Sequence, residues 1–196
     1  MICVSVPGSV LVLGEHAVLH GSRAVCCAVN RRLKARLWPR RDRRVCIRSP
    51  YGTAEGTWET LPEMEELRFV LAACRDVNAP PETGFELELD DGIAATVGLG
   101  SSAAAVVATL AALALWQDGE LNRPRILQAA VRAIRSVQGR GSGSDAAAST
   151  FGGVLSYRPD PVWWQPLHEG ANDLPPLSLV YCGYKRPTPE VIEIVK

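Results

Sequence analysis

Hydrophobic and polar residues alternate along much of the chain with the period of a β-strand. Residues 2–14 alternate around Pro7-Gly8 and predict two short strands, ICVSV and SVLVLG. Residues 24–60 are strand-like with a turn near Pro39 to Arg43, which predicts a long β-hairpin followed by a polar loop. Later strands are predicted at Phe85 to Leu89, Val154 to Tyr157, Val162 to Leu167 and Leu177 to Tyr181.

A helical period replaces this alternation elsewhere. The first helical stretch follows Thr60, which has the residue type of an N-cap, with Glu63 three residues later. The second reads AAAVVATLAALALW, which favours a buried helix, and the third begins with Pro124 at its first turn. The predicted helices cover about residues 61–77, 103–116 and 123–137, a short turn at 145–150, and residues from 188 to 196.

Composition restricts the class of protein. The chain has 196 residues, 47% of them hydrophobic, which is enough for a core in one large domain or two small ones. Its formal net charge is zero, so global electrostatics do not steer it toward a polyanion. The longest apolar stretch, of about 14 residues, is too short to span a bilayer. Six scattered cysteines, with no C-x-x-C pair and no signal peptide, indicate reduced thiols in the cytoplasm.

The junction between Gly98 and the alanine-rich helix reads GLGSSA and predicts an anion site. Glycines allow a tight turn and a close anion approach, and the serines fall where a helix has unpaired N–H groups. No Walker pattern follows. The looser dinucleotide fingerprint, with Asp118 as its acid, is rejected because Asp118 directly follows the helix instead of a second strand. A helix start that serves only close packing remains an alternative.

Two more stretches carry candidate chemistry. The loop GRGSGSD ends at Asp145, a carboxylate at a helix start that is suited to accept a proton or face a cation. An ordinary aspartate N-cap is the alternative. Near the N-terminus, Glu15, His16 and His20 cluster where a strand ends, a position suited to substrate contacts. They do not form a convincing metal triad, and a purely structural His16 is equally compatible with the pattern.

These stretches together resemble a known family. PGSVLVLGEHAVLHG, GLGSSAAAVVATLAAL and GRGSGSDAAASTFGG are similar to the first two signature motifs and the aspartate loop of the GHMP kinases, in the family's order, over residues 4–158. GEHAVLHG is most similar to mevalonate kinase, and QGRGSGSDAAAS also resembles phosphomevalonate kinase. The resemblance implies an α+β domain with a left-handed β-α-β unit. It also implies a Mg²⁺-dependent transfer of phosphate from ATP to a hydroxyl or phosphate group of a small metabolite.

The resemblance also implies roles for individual residues. Asp145 would be the catalytic base, and Ser102 would face the magnesium ion. The ATP phosphates would contact Gly98, Leu99, Gly100, Ser101, Ser102 and Ala103. The acceptor would contact Glu15, His16, Ser142, Gly143 and Thr188.

The chain departs from the family's pattern at several positions. Ser9 stands where mevalonate kinase has a lysine, and Ile134 stands where it has a magnesium-binding glutamate. The proline expected before the phosphate loop is missing from IAATVG. The family's third glycine motif belongs to a C-terminal domain that this chain does not reach. We therefore expect an ATP-binding domain over residues 1–175 and the start of a truncated C-terminal domain over 176–196.

The missing lysine leads to a further hypothesis. Lys185 follows the strand predicted at Leu177 to Tyr181, in a stretch stiffened by Pro187 and Pro189. It is therefore a candidate for the cation that stabilises the acceptor alkoxide. An exposed loop lysine without a catalytic role is the alternative.

Two other classes of function remain open. A pseudokinase, which binds nucleotide without transferring phosphate, would fit the changes at Ser9 and Ile134, and an inactive fragment would fit the missing C-terminal domain. An RNA-binding module would use residues 31–44, RRLKARLWPRRDRR, which hold eight basic residues. For this stretch we favour a solvated β-hairpin with one packed apolar face, because the rest of the chain balances its charge.

Overall fold

The computed structural model describes residues 1–77, 81–90, 92–168, 178–181 and 183. Within these ranges the chain forms a mixed seven-stranded sheet with helices packed against it, so the predicted α+β class is confirmed. The strands are β1 (Ile2–Leu13), β2 (Ala24–Pro39), β3 (Val45–Ser49), β4 (Gly52–Gly56), β5 (Phe85–Leu89), β6 (Val154–Pro159) and β7 (Val162–His168). Their order is β4-β3-β5-β2-β6-β7, and β1 pairs with β2.

Two predictions about the N-terminal strands were wrong. Residues 2–13 form one strand, β1, because its pairing with β2 continues through a register shift between Pro7 and Gly8. The predicted hairpin over residues 24–60 does not form, because β5 lies between β2 and β3. Strand β5 runs antiparallel to β2 and parallel to β3, and β3 and β5 are connected through β4 and a helix. The left-handedness of the β-α-β unit stays a prediction.

The charges on β5 explain its place in the sheet. Its apolar residues Phe85, Leu87 and Leu89 are buried, whereas its two glutamates point to the other face. Each glutamate pairs with an arginine on a different neighbouring strand. The pairs are Glu88 with Arg36 of β2 and Glu86 with Arg48 of β3. Cross-strand pairs of opposite charge on both sides of one strand favour the central position over an edge position.

The described helices lie close to their predicted positions, with one exception, and the helix predicted over residues 188–196 lies outside the described residues. They are α1 (Arg68–Arg75), α2 (Ser101–Gln117), α3 (Arg123–Gln138) and α4 (Ser144–Phe151), with 3₁₀ turns at Ala17–His20 and Glu65–Leu67. The Asn122 side chain accepts the Arg125 N–H at 3.1 Å and caps α3. Helix α1 is shorter than predicted because Thr60 is not its N-cap. Instead, the Thr60 hydroxyl oxygen accepts the Thr57 N–H at 2.9 Å within the preceding turn.

Packing around α2 fixes the part of the fold that matters for function. This helix packs against β1, β2 and all three other described helices, and it is buried around most of its circumference. Its ends therefore cannot shift without disturbing the core.

Among the described residues, the helices are all too short or too polar to cross a membrane. Residues 178–181 pair with no described strand, so this part of the strand predicted at Leu177 to Tyr181 is not formed.

The basic stretch 31–44 lies on β2 and the turn that follows it, and acidic partners neutralise half of its cations. Leu33, Ala35 and Leu37 of the stretch are buried in the core. Ion pairs join Arg36 to Glu88, Arg40 to Asp42, Arg43 to Glu59 and Arg44 to Glu55, at 2.6–3.2 Å. An RNA-tracking surface needs cations that are available for phosphates. The structure therefore supports a solvated surface strand with a packed apolar face, although this strand is not part of the predicted hairpin.

Candidate active site

The two glycine-rich loops meet in one cleft, which also includes the chain just after β1. The cleft has a volume of about 350 Å³. The residues predicted for the site that line it are Glu15, His16, Gly98, Gly100, Ser102, Ala103, Ser142, Gly143 and Asp145. Three separate regions of the sequence therefore contribute to a single concave surface, as expected for a small-molecule site.

The start of α2 forms the first wall of the cleft. Gly98 and Gly100 have φ values of +74° and +65°, in the left-handed region that favours glycine. Gly100 occupies the N-cap position, where no described side chain caps the free N–H groups of the first turn. A Cβ atom added at Gly98 would meet no described atom within 4 Å. Open space in front of uncapped helix N–H groups suits an anion.

The remaining residues of the GLGSSA junction have different surroundings. The Leu99 side chain packs against the core, and its backbone carbonyl accepts the Ser9 N–H at 3.0 Å. Ser101 lines a second cavity, of about 310 Å³, whose lining also includes Tyr51 and Phe69. Ser102 and Phe69 line both cavities, so the two spaces adjoin at the start of α2.

The start of α4 forms the second wall. Gly143 is the N-cap of α4 with a φ of +86°, and Asp145 lies in the first turn. The interpretation of Asp145 as an ordinary N-cap is therefore wrong. A Cβ atom at Gly143 would lie 2.5 Å from Val131 Cγ2 and 2.7 Å from Tyr157 Oη, which leaves no room for a side chain. The buried Tyr157 hydroxyl donates to the Ser142 carbonyl at 2.7 Å and ties the loop to β6.

Ser9 connects Asp145 to the first wall of the cleft. The Ser9 hydroxyl donates a 2.8 Å hydrogen bond to Asp145 Oδ1, and Ser9 is only 1% exposed. The same carboxylate also affects Cys26, which is fully buried nearby. Burial, and then the negative charge of Asp145, raise the pKa of the Cys26 thiol to about 12. Cys26 therefore stays protonated at neutral pH and is not a nucleophile of this site.

The cleft offers few metal ligands. Its described lining includes the carboxylates of Glu15 and Asp145 and the Ser102 hydroxyl, and Ile134 presents an apolar side chain to the same space. Groups of three or more His, Cys, Asp or Glu side chains that could hold a metal ion are not found among the described residues. Mg²⁺ often binds to only one or two carboxylates and takes its other ligands from phosphates and water. The residues present can supply one or two ligands of a Mg²⁺ ion, but they do not form a complete set of protein ligands.

Sequence reasoning missed two features of the site. Ser9 was considered only for the charge it lacks, whereas the structure places it between the two walls. Arg140 lines the cleft and also a neighbouring cavity of about 810 Å³, and it forms no hydrogen bond or ion pair with a described residue. Its position inside the GRGSGSD loop was the available signal. Lys185 and Thr188, both predicted for the site, lie outside the described residues.

A family model and several curated proteins are similar in sequence to this chain. Residues 67–153 match the GHMP kinases N terminal domain. The mevalonate kinase of Archaeoglobus fulgidus is 38% identical over 149 residues, which cover 76% of this chain and 50% of that protein. The mevalonate kinase of Aeropyrum pernix is 30% identical over 202 residues, which cover 97% of this chain and 60% of that protein. The chain thus spans about half to three fifths of the length of these relatives.

A solved structure shares the fold. The crystal structure of the Methanococcus jannaschii mevalonate kinase superposes with a TM-score of 0.75 at 21% sequence identity. The superposition covers 85% of this chain and 55% of that one. At this level of identity the likeness concerns the arrangement of the sheet and helices.

Proposed function

The chain belongs to the GHMP kinase family, and from this premise we propose that the protein is a small-molecule kinase of the mevalonate type. It would transfer the γ-phosphoryl group of ATP to a hydroxyl group of its acceptor. The observation that carries this proposal is the single cleft that contains both the uncapped start of α2 and the Asp145 carboxylate. Phosphoryl transfer needs an anion cradle and a proton acceptor within one site.

The ATP phosphates would lie against the start of α2. Their negative charge is stabilised there by free N–H groups, by the helix dipole and by the hydroxyl groups of Ser101 and Ser102. The adjoining 310 Å³ cavity, lined in part by Tyr51 and Phe69, would take the adenine base. Because Ser102 lines both spaces, a nucleotide in this cavity can reach the cleft with its terminal phosphate.

Magnesium would bind with the nucleotide. When bound, Mg²⁺ neutralises part of the phosphate charge and helps to orient the phosphates. The Ser102 hydroxyl and the Glu15 carboxylate are the described groups that would hold it, which leaves Asp145 as the base. Ile134 supplies no ligand, so phosphate and water oxygens would complete its coordination.

Asp145 would act as the base. Its carboxylate would take the proton of the acceptor hydroxyl while that oxygen forms a bond to the γ-phosphorus and the bond from phosphorus to the ADP oxygen breaks. The products are ADP, the phosphorylated acceptor and a protonated Asp145, which then loses its proton to solvent. Most of the rate enhancement in such a site comes from alignment and charge stabilisation.

An assay of ATP consumption tests this function directly. We expect Mg²⁺-dependent ADP formation when mevalonate is supplied, and less with phosphomevalonate, homoserine or galactose. The measurement is a coupled assay on the full protein, together with calorimetric titration of Mg-ATP. Tight ATP binding without turnover of any acceptor would instead establish the pseudokinase suggested by Ser9 and Ile134. Absence of ATP binding would contradict both interpretations.

Arg140 would recognise an anionic group on the acceptor. It is the one lysine or arginine among the described residues that line the cleft, and no described residue forms an ion pair with it. Mevalonate carries a carboxylate, and a guanidinium group can bind a carboxylate through two parallel hydrogen bonds. Arg140 lies in the loop that leads into α4, five residues before Asp145, so it can fix the acceptor relative to the base.

Replacing Arg140 with glutamine is expected to raise the KM for the acceptor by about tenfold or more, because one charge-assisted contact is lost. The KM for ATP should change little. Steady-state kinetics with each substrate varied separately provide the measurement. Arg125→Gln, on an exposed residue of α3 outside the cleft lining, is the matched control and should leave both constants unchanged. An unchanged acceptor KM in the Arg140 variant would exclude this contact.

A further inference from the structure

The strand segment Pro7 to Ser9 lies between the two walls of the cleft. Both Gly8 and Ser9 approach the phosphate loop closely. A Cβ atom added at Gly8 would lie 2.6 Å from the Leu99 carbonyl oxygen, and one added at Gly100 would lie 2.0 Å from Ser9 Oγ. The register shift between Pro7 and Gly8 lies within this segment and changes the direction of side chains along β1.

Ser9 contacts both walls with different groups. Its backbone N–H donates to the Leu99 carbonyl at 3.0 Å, and its hydroxyl donates to Asp145 Oδ1 at 2.8 Å. Helix α4 is attached to the same segment a second time, because the Ser149 hydroxyl donates to the Pro7 carbonyl at 2.9 Å. Ser9 therefore joins the phosphate loop to the Asp145 carboxylate itself, whereas the Ser149 contact joins α4 to β1 without touching that carboxylate.

We propose that Ser9 is a positioning residue that holds the Asp145 carboxylate at a fixed position relative to the phosphate loop. This inference rests on the proposed kinase function. The Ser9 hydroxyl is neutral, so its contribution is geometric: it orients one carboxylate oxygen and keeps its own proton throughout the reaction.

The surroundings of Ser9 favour a small side chain with one donor. The residue is buried, and Gly100 leaves it little more than the space of its own hydroxyl. A hydrogen bond to a carboxylate is stronger than one between neutral groups and restricts the orientation of the carboxylate. Displacement of a reacting group by about 1 Å can reduce a rate by about a hundredfold. Loss of this hydrogen bond should therefore affect the chemical step more than substrate binding.

The test compares Ser9→Ala with Ser149→Ala. Both serines are buried and both hydroxyls tie α4 to β1, but Ser149 donates to a backbone carbonyl and Ser9 donates to Asp145. We expect Ser9→Ala to lower kcat between about tenfold and a hundredfold, with nearly unchanged KM values for ATP and acceptor. Ser149→Ala should leave kcat within about twofold, with any loss confined to thermal stability. Thermal unfolding of each variant shows that it is folded.

A double-mutant cycle separates positioning from a general structural effect. If Ser9 acts through Asp145, Ser9→Ala should have almost no further effect on kcat in an Asp145→Asn background. Equal losses in both backgrounds, or an unchanged kcat in Ser9→Ala alone, would overturn the inference while leaving the kinase function in place. A lack of turnover by the unsubstituted protein with every acceptor would overturn the proposed function, and this inference with it.

Discussion

Asp145→Asn is expected to lower kcat by about a hundredfold or more, because the variant cannot accept the proton of the acceptor hydroxyl. The affinity for Mg-ATP should change little, since the phosphates would contact the start of α2 and Asp145 would contact the acceptor hydroxyl. The substitution is also conservative in shape. The asparagine carbonyl can still accept the Ser9 hydrogen bond, so the variant removes the charge and the basicity but not the contact.

Steady-state kinetics and calorimetric titration of Mg-ATP, carried out on the same preparation, test this expectation. Asp118→Asn is the matched control, because Asp118 is an exposed aspartate in the loop after α2 and lies outside the cleft lining. A normal rate in Asp145→Asn would remove Asp145 from the mechanism. A loss of ATP affinity as large as the loss of rate would instead indicate that Asp145 holds the nucleotide or its metal ion.

The glycine loops were predictable from sequence because each one meets a local conformational requirement of the backbone. Gly98, Gly100 and Gly143 adopt positive φ values that other residues rarely adopt, and each lies within the three residues before a helix. The alanine-rich apolar run identified α2, and Pro124 marked the start of α3, so both of these signals are local as well. Such features depend on neighbouring residues in the chain and can be inferred without knowledge of the fold.

The features that sequence reasoning missed depend on contacts between distant residues. The place of β5 between β2 and β3 depends on strand pairing between distant residues, such as Arg36 and Glu88, which are 52 positions apart. The hydrogen bond from Ser9 to Asp145 joins residues that are 136 positions apart. Nothing in the local pattern around Ser9 indicates that its hydroxyl reaches a carboxylate on α4. The predicted hairpin was wrong for the same reason, because a strand later in the chain takes the place of the nearer one.

Gly100→Val is expected to abolish measurable binding of Mg-ATP. At this position the backbone has a φ of +65°, which is unfavourable for a β-branched residue, and the added Cβ would lie 2.0 Å from Ser9 Oγ. The neighbour is buried and hydrogen-bonded to Asp145, so it cannot move away at low cost. The loop must shift instead, and the free N–H groups of α2 lose the arrangement that accepts the phosphates.

Gly119→Val separates this effect from backbone strain alone. Gly119 lies just after the other end of α2 with a φ of +74°, and a Cβ atom there would meet no described atom within 4 Å. Both variants introduce the same β-branched residue at a positive φ, and each should lose some stability, of the order of 1–3 kcal/mol from strain. Thermal unfolding measures that shared cost, and calorimetric titration of Mg-ATP measures the difference. Gly119→Val should bind the nucleotide normally. If folded Gly100→Val also binds it with unchanged affinity, the loop before α2 is a packing feature, and the phosphate site must lie elsewhere in the protein.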